Sequence, residues 1–557
     1  MKEWWRRSAV YQIYPKSFND TTGNGVGDIQ GIIEKLDYIK ELGVDVIWLT
    51  PIYTSPQNDN GYDIADYYHI HEDYGTMEDF EQLLNEVHQR DMKLIMDLVV
   101  NHTSTEHKWF QEAKKSKENP YRDFYIWKDP INEEEPNNWQ SKFGGTVWKW
   151  DPDTKQYFLH LFDTTQADLN WENETMRQHV YDMMHFWFNK GIDGFRLDVI
   201  NLISKDQDFP NETDPKKDGR RFYTDGPRVH EFLQEMNERV LSKYKNITVG
   251  EMSSTSIENC VKYSNPERNE LNMTFNFHHL KVDYPNGEKW AIAPFDFIAL
   301  KDILSTWQVE MNKGGGWNAL FWCNHDQPRV VSRYGDDKKF RIESSKMLAT
   351  VVHMMQGTPY IYQGEEFGMT NPYFEKIDQY RDVETLNAYH TLKNEGKDES
   401  EVMAIIQEKS RDNSRTPMQW NSKKNGGFTE GEPWIGLAKN YQGINAELAL
   451  ANQNSIFYHY QKLITLRKQY DIITYGDYQL LNKEDPQIFS YVRTHLNEKL
   501  LVINNFYGEN GTFTVPKDLQ NHESQLLLSN YENTSELTSE IDLRPFESLV
   551  ILLKSKR

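Results

Sequence analysis

The stretch GFRLDVINLISK, residues 194–205, decides how the chain folds, because a strand-like run here carries two charges. Phe195 and Leu197 are apolar, as a buried strand requires. Arg196 and Asp198 are two apart, so in an extended chain they face the same side. Burying both charges costs free energy unless partners or a function stabilise them. The stretch therefore predicts a strand that carries functional side chains at its carboxyl end.

Seven further apolar runs have the same character and alternate with longer amphipathic segments. The eight runs begin at Ala9, Val44, Leu94, Gly194, Ile247, Met273, Asn318 and Pro359. Segments between them, such as GIIEKLDYIKELG, place apolar residues at i, i+3, i+4 and i+7, the period of a helix. Eight strands alternating with helices predict an α/β fold, a (β/α)8 TIM barrel.

Two parts of the chain depart from this alternation. A long segment rich in Trp, Asn, Pro and Lys separates the third run from the fourth, and it predicts an inserted subdomain at 104–170. From about residue 476 the apolar period becomes two, with turns between the runs. We expect a catalytic barrel over 1–475 and a C-terminal β-sandwich domain over 476–557.

Composition excludes several classes of function. The formal net charge is −23 and no long Lys/Arg run offsets it, which argues against nucleic acids and anionic membranes as partners. The two cysteines, Cys260 and Cys323, cannot form a disulfide framework. The first residues contain no apolar signal region, and no run is long enough to span a membrane. These features predict a cytoplasmic protein.

Four carboxylic acids lie at or near the ends of predicted strands: Asp97, Asp198, Glu251 and Asp326. Barrel active sites form on that rim, and acids brought together there repel each other unless the chemistry needs them. Glycoside cleavage needs one carboxylate at the anomeric carbon and one protonated acid at the leaving oxygen. Arg196, beside Asp198, would keep that carboxylate ionised. No HExxH motif or Cys/His cluster suggests zinc.

The blocks DLVVNH, GFRLDVI, GEMS and NHDQ, in this order, resemble those of the α-amylase superfamily of retaining glycoside hydrolases. QADLNW at Gln166 resembles the segment that closes its inserted domain. The resemblance implies that Asp198 is the nucleophile and Glu251 the general acid/base, with carboxyl groups about 5–5.5 Å apart. It also implies that Asp326, His102 and His325 bind the reacting glucose, with Asp97 and Arg196 in support.

Two further stretches, SPQNDNGYDIADYYHI at Ser55 and SRDNSRTPMQW, are similar to the exo-acting oligo-1,6-glucosidase group. By that resemblance, Asp59 and Arg415 close the pocket behind a terminal glucose. Tyr62 is then a stacking platform and Asp63 a ligand of sugar hydroxyls.

Within this group, FYTDGPRVHEFL and FHHLKVDYPNGEKWA resemble the phospho-α-(1,1)-glucosidases. The implied reaction cleaves α,α-trehalose 6-phosphate into glucose and glucose 6-phosphate. Its substrate is a small phosphorylated disaccharide. To bind the phosphate, this otherwise acidic protein needs cationic side chains in the pocket. Lys281, Lys289 and Lys205 are the candidates, through charge-assisted hydrogen bonds to phosphate. The alternative for each is a solvated surface lysine.

FNDTTGNGVGD places Asp20, Thr22, Asn24 and Asp28 at alternating positions, with the Val26 carbonyl between them. Such oxygens suit a structural Ca²⁺ or Mg²⁺ ion, and the superfamily resemblance implies Ca²⁺ here. A glycine turn with Asx caps is the alternative. Catalysis itself is expected to need no cofactor.

Two other functions remain open. An oligo-1,6-glucosidase without phosphate specificity would share the fold and the three predicted catalytic acids, Asp198, Glu251 and Asp326. A non-catalytic glucosidase-like binding partner would lack those acids and carry a membrane span, so the sequence disfavours it.

Overall fold

A computed structural model describes residues 3–532 and 538–555, and eight short parallel strands form its centre. The strands are β1 (Val10–Ile13), β2 (Val46–Leu49), β3 (Lys93–Leu98), β4 (Gly194–Leu197), β5 (Ile247–Glu251), β6 (Met273–Phe275), β7 (Ala319–Leu320) and β8 (Thr358–Tyr362). They pair in the order 6-5-4-3-2-1-8-7, and a parallel bridge between Thr274 and Asn318 joins β6 to β7. The predicted barrel is confirmed.

Helices follow the strands on the outside of the barrel. They are Ile29–Glu34 and Leu36–Leu42 after β1, Met77–Gln89 after β2, Glu174–Lys190 after β3, Val229–Arg239 after β4, Ile257–Ser264 after β5, Phe297–Lys313 after β6, Val330–Tyr334 and Arg341–His353 after β7, and Val383–Asn394, Glu399–Lys409, Ala446–Leu450, Ile456–Gln469 and Asp471–Tyr475 after β8.

Helix Met77–Gln89 shows why these segments are helical. Thr76 caps its N-terminus and exchanges hydrogen bonds with Asp79, a capping box that satisfies the first free N–H groups. Its buried residues are Phe80, Leu83, Leu84 and Val87, which follow the i, i+3, i+4, i+7 spacing. Each such side chain contributes about 1.5–3 kcal/mol by leaving water, so the apolar stripe fixes the helix on the barrel.

The inserted subdomain lies between β3 and β4. Its sheet has three antiparallel strands, Trp127–Lys128, Gln156–Leu159 and Trp148–Asp151. The segment Gln166–Asp168 returns to pair with His102–Ser104 beside the barrel rim. The core of the subdomain continues into the chain that follows β4, so the two parts pack as one unit. That core includes Trp139, Val147, Trp148, Leu161, Val199, Phe209 and Tyr223.

Over residues 476–532 and 538–555, the C-terminal domain is built of β-strands and one short helix, Lys517–Gln520. Its strands are β9 (Asp477–Leu481), β10 (Ile488–His495), β11 (Glu498–Asn505), β12 (Gly511–Thr514), β13 (His522–Ser529), β14 (Glu540–Leu543) and β15 (Ser548–Ser555). A five-stranded sheet has the order 9-10-11-15-13, and β12 pairs with β14. Phe513 and Ile541 from the smaller sheet pack on Leu501 and Ile551 from the larger one. The predicted C-terminal all-β domain is confirmed.

Within residues 3–532 and 538–555, no helix combines the length and the apolar character needed to cross a membrane.

Candidate active site

The four predicted acids meet at the carboxyl ends of the barrel strands. Asp97 is the penultimate residue of β3, Asp198 follows the last residue of β4, and Glu251 ends β5. Asp326 lies in the loop after β7. Parallel strands bring their carboxyl ends to one rim, so residues far apart in sequence become neighbours.

Arg196 joins three of these acids. Its Nη1 atom donates to Asp97 Oδ1 at 2.9 Å and to Asp198 Oδ1 at 2.7 Å. Its Nη2 atom donates to Glu251. In the sheet register Arg196 lies directly opposite Asp97, and its side chain is 1% exposed. A single buried guanidinium therefore fixes the positions of all three carboxyl groups.

The carboxyl groups of Asp198 and Glu251 are buried together, and each shifts the pKa of the other. Burial raises the pKa of both, and the positive charge of Arg196 opposes the rise in both. The hydrogen bond between them lowers the pKa of Asp198 and raises the pKa of Glu251, which reaches about 8. The pKa of Asp198 is raised to about 7, so Glu251 is the member of the pair that keeps its proton to higher pH.

Val199, the residue after Asp198, adopts a backbone conformation that β-branched residues rarely tolerate. Its φ is 36°, in the left-handed region that costs of order 1–3 kcal/mol for such a residue. This turn points the Val199 N–H at Glu251 Oε2, 3.2 Å away. The strained turn thereby ties the end of β4 to the acid at the end of β5.

The Asp198–Glu251 pair lines a pocket of about 260 Å³. We call one part its closed end, formed by the buried or half-buried residues Asp59, Tyr62, His102, Asp326 and Arg411. We call the other its open end, formed by Lys142, Arg220 and Lys281.

Tyr62 and His325 stack face to face at the closed end, with ring centroids 4.9 Å apart and planes 4° apart. The Tyr62 hydroxyl donates to Asp97 Oδ2 at 2.9 Å. Gln12 Nε2 contacts His325 Nδ1 at 2.8 Å, and burial lowers the pKa of His325 to about 3. The predicted aromatic platform is therefore held by hydrogen bonds, with a neutral imidazole behind it.

His102 is buried on the side of the inserted subdomain. Its Nε2 atom lies 3.0 Å from the Tyr62 carbonyl oxygen, and Asn101 Nδ2 lies 3.2 Å from its Nδ1 atom. Gln166 Nε2 donates to Asp59 Oδ2 at 3.0 Å and so links the segment that closes the subdomain to this wall.

The pairing of Asp59 corrects a sequence prediction. Asp59 Oδ1 accepts from Arg411 Nη2 at 2.9 Å, not from Arg415. Arg415 instead donates to Asp326 Oδ1 at 2.8 Å and to the His325 carbonyl at 2.8 Å. The motif SRDNSR contains both arginines, and its spacing does not show which one faces Asp59. Arg411 is therefore the residue that closes the pocket.

Two arginines give Asp326 an environment opposite to that of Asp198. Burial alone would raise its pKa, but His325, Arg411 and Arg415 together hold the pKa of Asp326 well below its usual range. Asp382, which sequence analysis missed, lies behind them and accepts from Arg411 Nη2 at 2.5 Å. Asp326 is consequently a permanent anion on the pocket wall.

Asp63 does not line the pocket, contrary to prediction. Its carboxylate accepts from the Ser55 hydroxyl at 3.0 Å and from the backbone N–H groups of Asn58 at 2.8 Å and Asp59 at 3.1 Å. Because these bonds hold the loop that carries Asp59, Asp63 positions a pocket residue instead of contacting a sugar.

The three lysines predicted to bind phosphate have different surroundings. Lys281 is exposed and lines the open end of the pocket. Lys289 also lines the pocket, but both Glu384 oxygens lie 2.8 Å from its Nζ atom. Lys205 is buried and pairs with Asp168 Oδ2 at 2.8 Å. The structure therefore corrects Lys205: its ammonium is already neutralised and does not reach the pocket.

Two cations of the open end escaped sequence analysis. Lys142 comes from the inserted subdomain and Arg220 from the loop after β4, yet both line the same pocket as Lys281. Neither lies in a periodic segment or beside a catalytic block. The only signal was the run KKDGRR at 216–221, an exception in an acidic chain.

The predicted cation loop is closed by its own hydrogen bonds. Asp20 accepts from the N–H groups of Thr22, Gly23 and Gly25 at 2.8–2.9 Å, Asn24 from Val26 at 2.9 Å, and Asp28 from Thr21 at 2.7 Å. These are the hydrogen bonds of a glycine turn with Asx caps, and the structural cation remains a prediction. In the described part of the chain, no group of three or more His, Cys, Asp and Glu could hold a metal ion.

Comparison with known proteins agrees with this site. Residues 12–476 match the model of the α-amylase catalytic domain, and residues 488–550 match that of the α-amylase SusG C-terminal domain. The chain is 67% identical to trehalose-6-phosphate hydrolase of Bacillus subtilis, covering 99% of this chain and 98% of the relative. It is 54% identical to oligo-1,6-glucosidase of Bacillus cereus, covering 99% and 100%.

A solved structure shows the same arrangement over the whole length. The crystal structure of Bacillus licheniformis trehalose-6-phosphate hydrolase superposes with a TM-score of 0.96 at 66% identity, covering all of both chains. The chain therefore belongs to the α-amylase family, and it is a glycoside hydrolase.

Proposed function

We propose that this enzyme hydrolyses α,α-trehalose 6-phosphate to glucose and glucose 6-phosphate with retention at the anomeric carbon. The observation that carries the proposal is the Asp198–Glu251 pair, held by one arginine in a pocket with a charge-balanced closed end and a basic open end. Relatives named for this activity support it across the full length of the chain.

In the first step Asp198 attacks the anomeric carbon of the unphosphorylated glucose, and the bond to the bridging oxygen breaks. Glu251 gives its proton to that oxygen, so glucose 6-phosphate leaves as a neutral alcohol at its anomeric position. In the second step Glu251, now ionised, removes a proton from water. The water oxygen attacks the glucosyl ester, glucose is released and Asp198 is regenerated.

The closed end fits a single terminal glucose. Asp59 and Arg411 meet across it at 2.9 Å, which leaves no path for a longer chain. Asp326, kept ionised by two arginines, accepts from sugar hydroxyls. His102 and the Tyr62 ring complete the wall. These residues account for cleavage from the chain end.

The open end fits the phosphorylated sugar. Lys281 remains the predicted phosphate ligand, since its ammonium lines the pocket and forms no ion pair with any carboxylate of residues 3–532 and 538–555. Lys289 is a weaker candidate because Glu384 already neutralises it.

The alternative is an oligo-1,6-glucosidase, which the 54% identity to the Bacillus cereus protein favours. It would use the same closed end and the same acids. The deciding experiment measures kcat/KM for trehalose 6-phosphate, trehalose, isomaltose and nitrophenyl α-glucoside side by side. We expect the phosphorylated sugar to exceed trehalose and isomaltose by at least about 100-fold, because two hydrogen bonds to a charged group are lost without phosphate. Equal values would contradict the proposal.

We also propose that the enzyme acts in the cytoplasm and needs no metal for catalysis. A phosphorylated sugar is too polar to cross a membrane unaided, so its hydrolase is expected where the sugar is phosphorylated. The mechanism above uses only side chains of this chain. Cell fractionation with an antibody against the enzyme tests the location.

A further inference from the structure

Three cations converge at the open end from three separate segments of the chain. Lys142 belongs to the inserted subdomain, Arg220 to the loop after β4 and Lys281 to the loop after β6. Arg220 is paired with Asp218 at 2.6 Å. Neither Lys142 nor Lys281 forms an ion pair with a carboxylate of the described ranges 3–532 and 538–555. Cations therefore outnumber acids here, in a protein whose net charge is −23.

Lys142 and Arg220 are held in fixed relative positions. The Lys142 N–H donates to the Leu161 carbonyl at 2.8 Å, and the Gln140 N–H donates to the Asp218 carbonyl at 3.0 Å. The first bond fixes Lys142 within the inserted subdomain, and the second joins that subdomain to the segment that carries Arg220, beside their shared apolar core. The site is thus preorganised, which reduces the entropy lost when a ligand binds.

The glycine before Arg220 shows how closely these segments pack. Gly219 has a φ of 85°, and a Cβ atom added there would lie 2.5 Å from Cδ1 of Trp139 in the inserted subdomain. Only glycine allows this approach. The contact places Arg220 against the subdomain that carries Lys142.

The positive charges of the three side chains also repel each other. Burial and the neighbouring charges of Arg220 and Lys281 lower the pKa of Lys142 to about 7, and Asp218 opposes this shift. The Tyr223 ring, 5.4 Å from the Lys142 Nζ atom, is a further neighbour. A bound anion would remove the repulsion, so the cluster is arranged for a ligand of negative charge.

We propose that Lys142 and Arg220 join Lys281 in binding the phosphate monoester of the leaving sugar, with Lys142 as the residue that selects phosphorylated over neutral substrates. This inference rests on the function proposed above. Phosphate offers three acceptor oxygens, and the cluster offers donors from three separate segments of the chain. Inorganic phosphate has the same chemistry and is expected to bind the same cluster.

The test compares Lys142→Met with the wild type on two substrates. We expect KM for trehalose 6-phosphate to rise about 10- to 100-fold, because a charge-assisted contact is lost. We expect kcat/KM for nitrophenyl α-glucoside, which has no phosphate, to stay within about twofold. Lys142→Arg should restore most of the affinity. Lys149→Met, at an exposed position of the same subdomain, is the matched control.

Inorganic phosphate provides a second readout. It should inhibit the wild type competitively against nitrophenyl α-glucoside, and inhibition should weaken in Lys142→Met and Arg220→Gln. Equal losses on both substrates, or unchanged phosphate inhibition, would overturn the inference and reduce Lys142 to a packing role on Tyr223. If the wild type does not prefer trehalose 6-phosphate to trehalose, the proposed function itself fails, which is a separate result.

Discussion

The two ends of the pocket differ in how their charges are paired. At the closed end the charges are balanced, since Asp326 and Asp59 each contact an arginine. At the open end Lys142 and Lys281 have no carboxylate partner within the parts of the chain that are described. The closed end is complete before substrate binds, whereas the open end becomes balanced only when an anion arrives.

The catalytic group and the open end differ in the elements that carry them. Asp97, Arg196 and Glu251 lie within barrel strands, and Asp198 follows one directly, so the sheet register fixes the catalytic group. The open-end cations lie on an inserted subdomain and two loops, which can change without disturbing the sheet. The difference indicates that the scaffold determines the chemistry and the loops determine which leaving sugar is accepted.

Replacing Asp198 should have the largest effect, because both ends depend on the same attack. Asp198→Asn should lower kcat/KM by at least about 10⁴-fold on every α-glucoside. Glu251→Gln should lower it about 10²- to 10⁴-fold for trehalose 6-phosphate, and less for nitrophenyl α-glucoside, whose leaving group needs no proton. Circular dichroism checks folding. Near-normal turnover by a folded Asp198→Asn variant would remove the assigned roles.

Arg411→Ala should damage the closed end and leave the preference between substrates unchanged. It removes a partner from Asp59 and Asp382, and such loss of a buried pair costs about 3–5 kcal/mol in the free energy of unfolding. We expect KM to rise by a similar factor for trehalose 6-phosphate and nitrophenyl α-glucoside. Lys424→Ala, at an exposed position, is the control. A selective loss on the phosphorylated sugar would show that the two ends are not independent.

The sequence predicted the barrel and the catalytic acids because both follow from local patterns. Apolar runs that alternate with amphipathic segments mark the strands and helices of a barrel. An acid at the carboxyl end of a barrel strand must then lie on the common rim. The strand starts at Gly194, Ile247 and Met273 were predicted to the residue, and the others within two residues.

The wall residues were harder to predict, because their partners depend on packing. Arg411 and Arg415 lie in one motif, and only the short 3₁₀ helix Arg411–Ser414 decides which one faces Asp59. Lys205 follows the nucleophile in sequence, but its chain turns toward Asp168 and away from the pocket. Lys142 lies in an irregular segment whose path no periodicity reveals.

The pH dependence of kcat/KM should be set by Asp198 and Glu251, so it should be the same for substrates with and without phosphate. Activity needs Glu251 protonated and Asp198 ionised. Glu251 loses its proton as the pH rises through its pKa of about 8, so kcat/KM should fall about tenfold per unit above that pH. Below the pKa of Asp198 the nucleophile is protonated and activity falls again. A plateau extending to about pH 10 would contradict the assignment of the acid.

Lys205→Met should test the corrected role of that lysine. It leaves the buried Asp168 without its cation, so the melting temperature should fall by several degrees. The ratio of kcat/KM between trehalose 6-phosphate and nitrophenyl α-glucoside should stay within about twofold, since Lys205 contacts neither end. Lys205→Arg is the conservative comparison. A drop confined to the phosphorylated sugar would return Lys205 to the phosphate site.

Chelation should have the smallest effect, because the Asp20–Asp28 loop belongs to neither end. Its carboxylates are occupied by N–H groups of the loop, and Asp20 also accepts from the Thr429 hydroxyl at 2.5 Å, which joins the loop to a distant segment. We expect treatment with EDTA, followed by dialysis, to leave kcat/KM unchanged and to shift the melting temperature by less than about 2 °C.

Asp20→Asn is the paired variant: it should weaken the same hydrogen bonds and lower the melting temperature whether or not metal is present. A large shift on chelation that added Ca²⁺ reverses in the wild type but not in Asp20→Asn would instead establish the predicted cation.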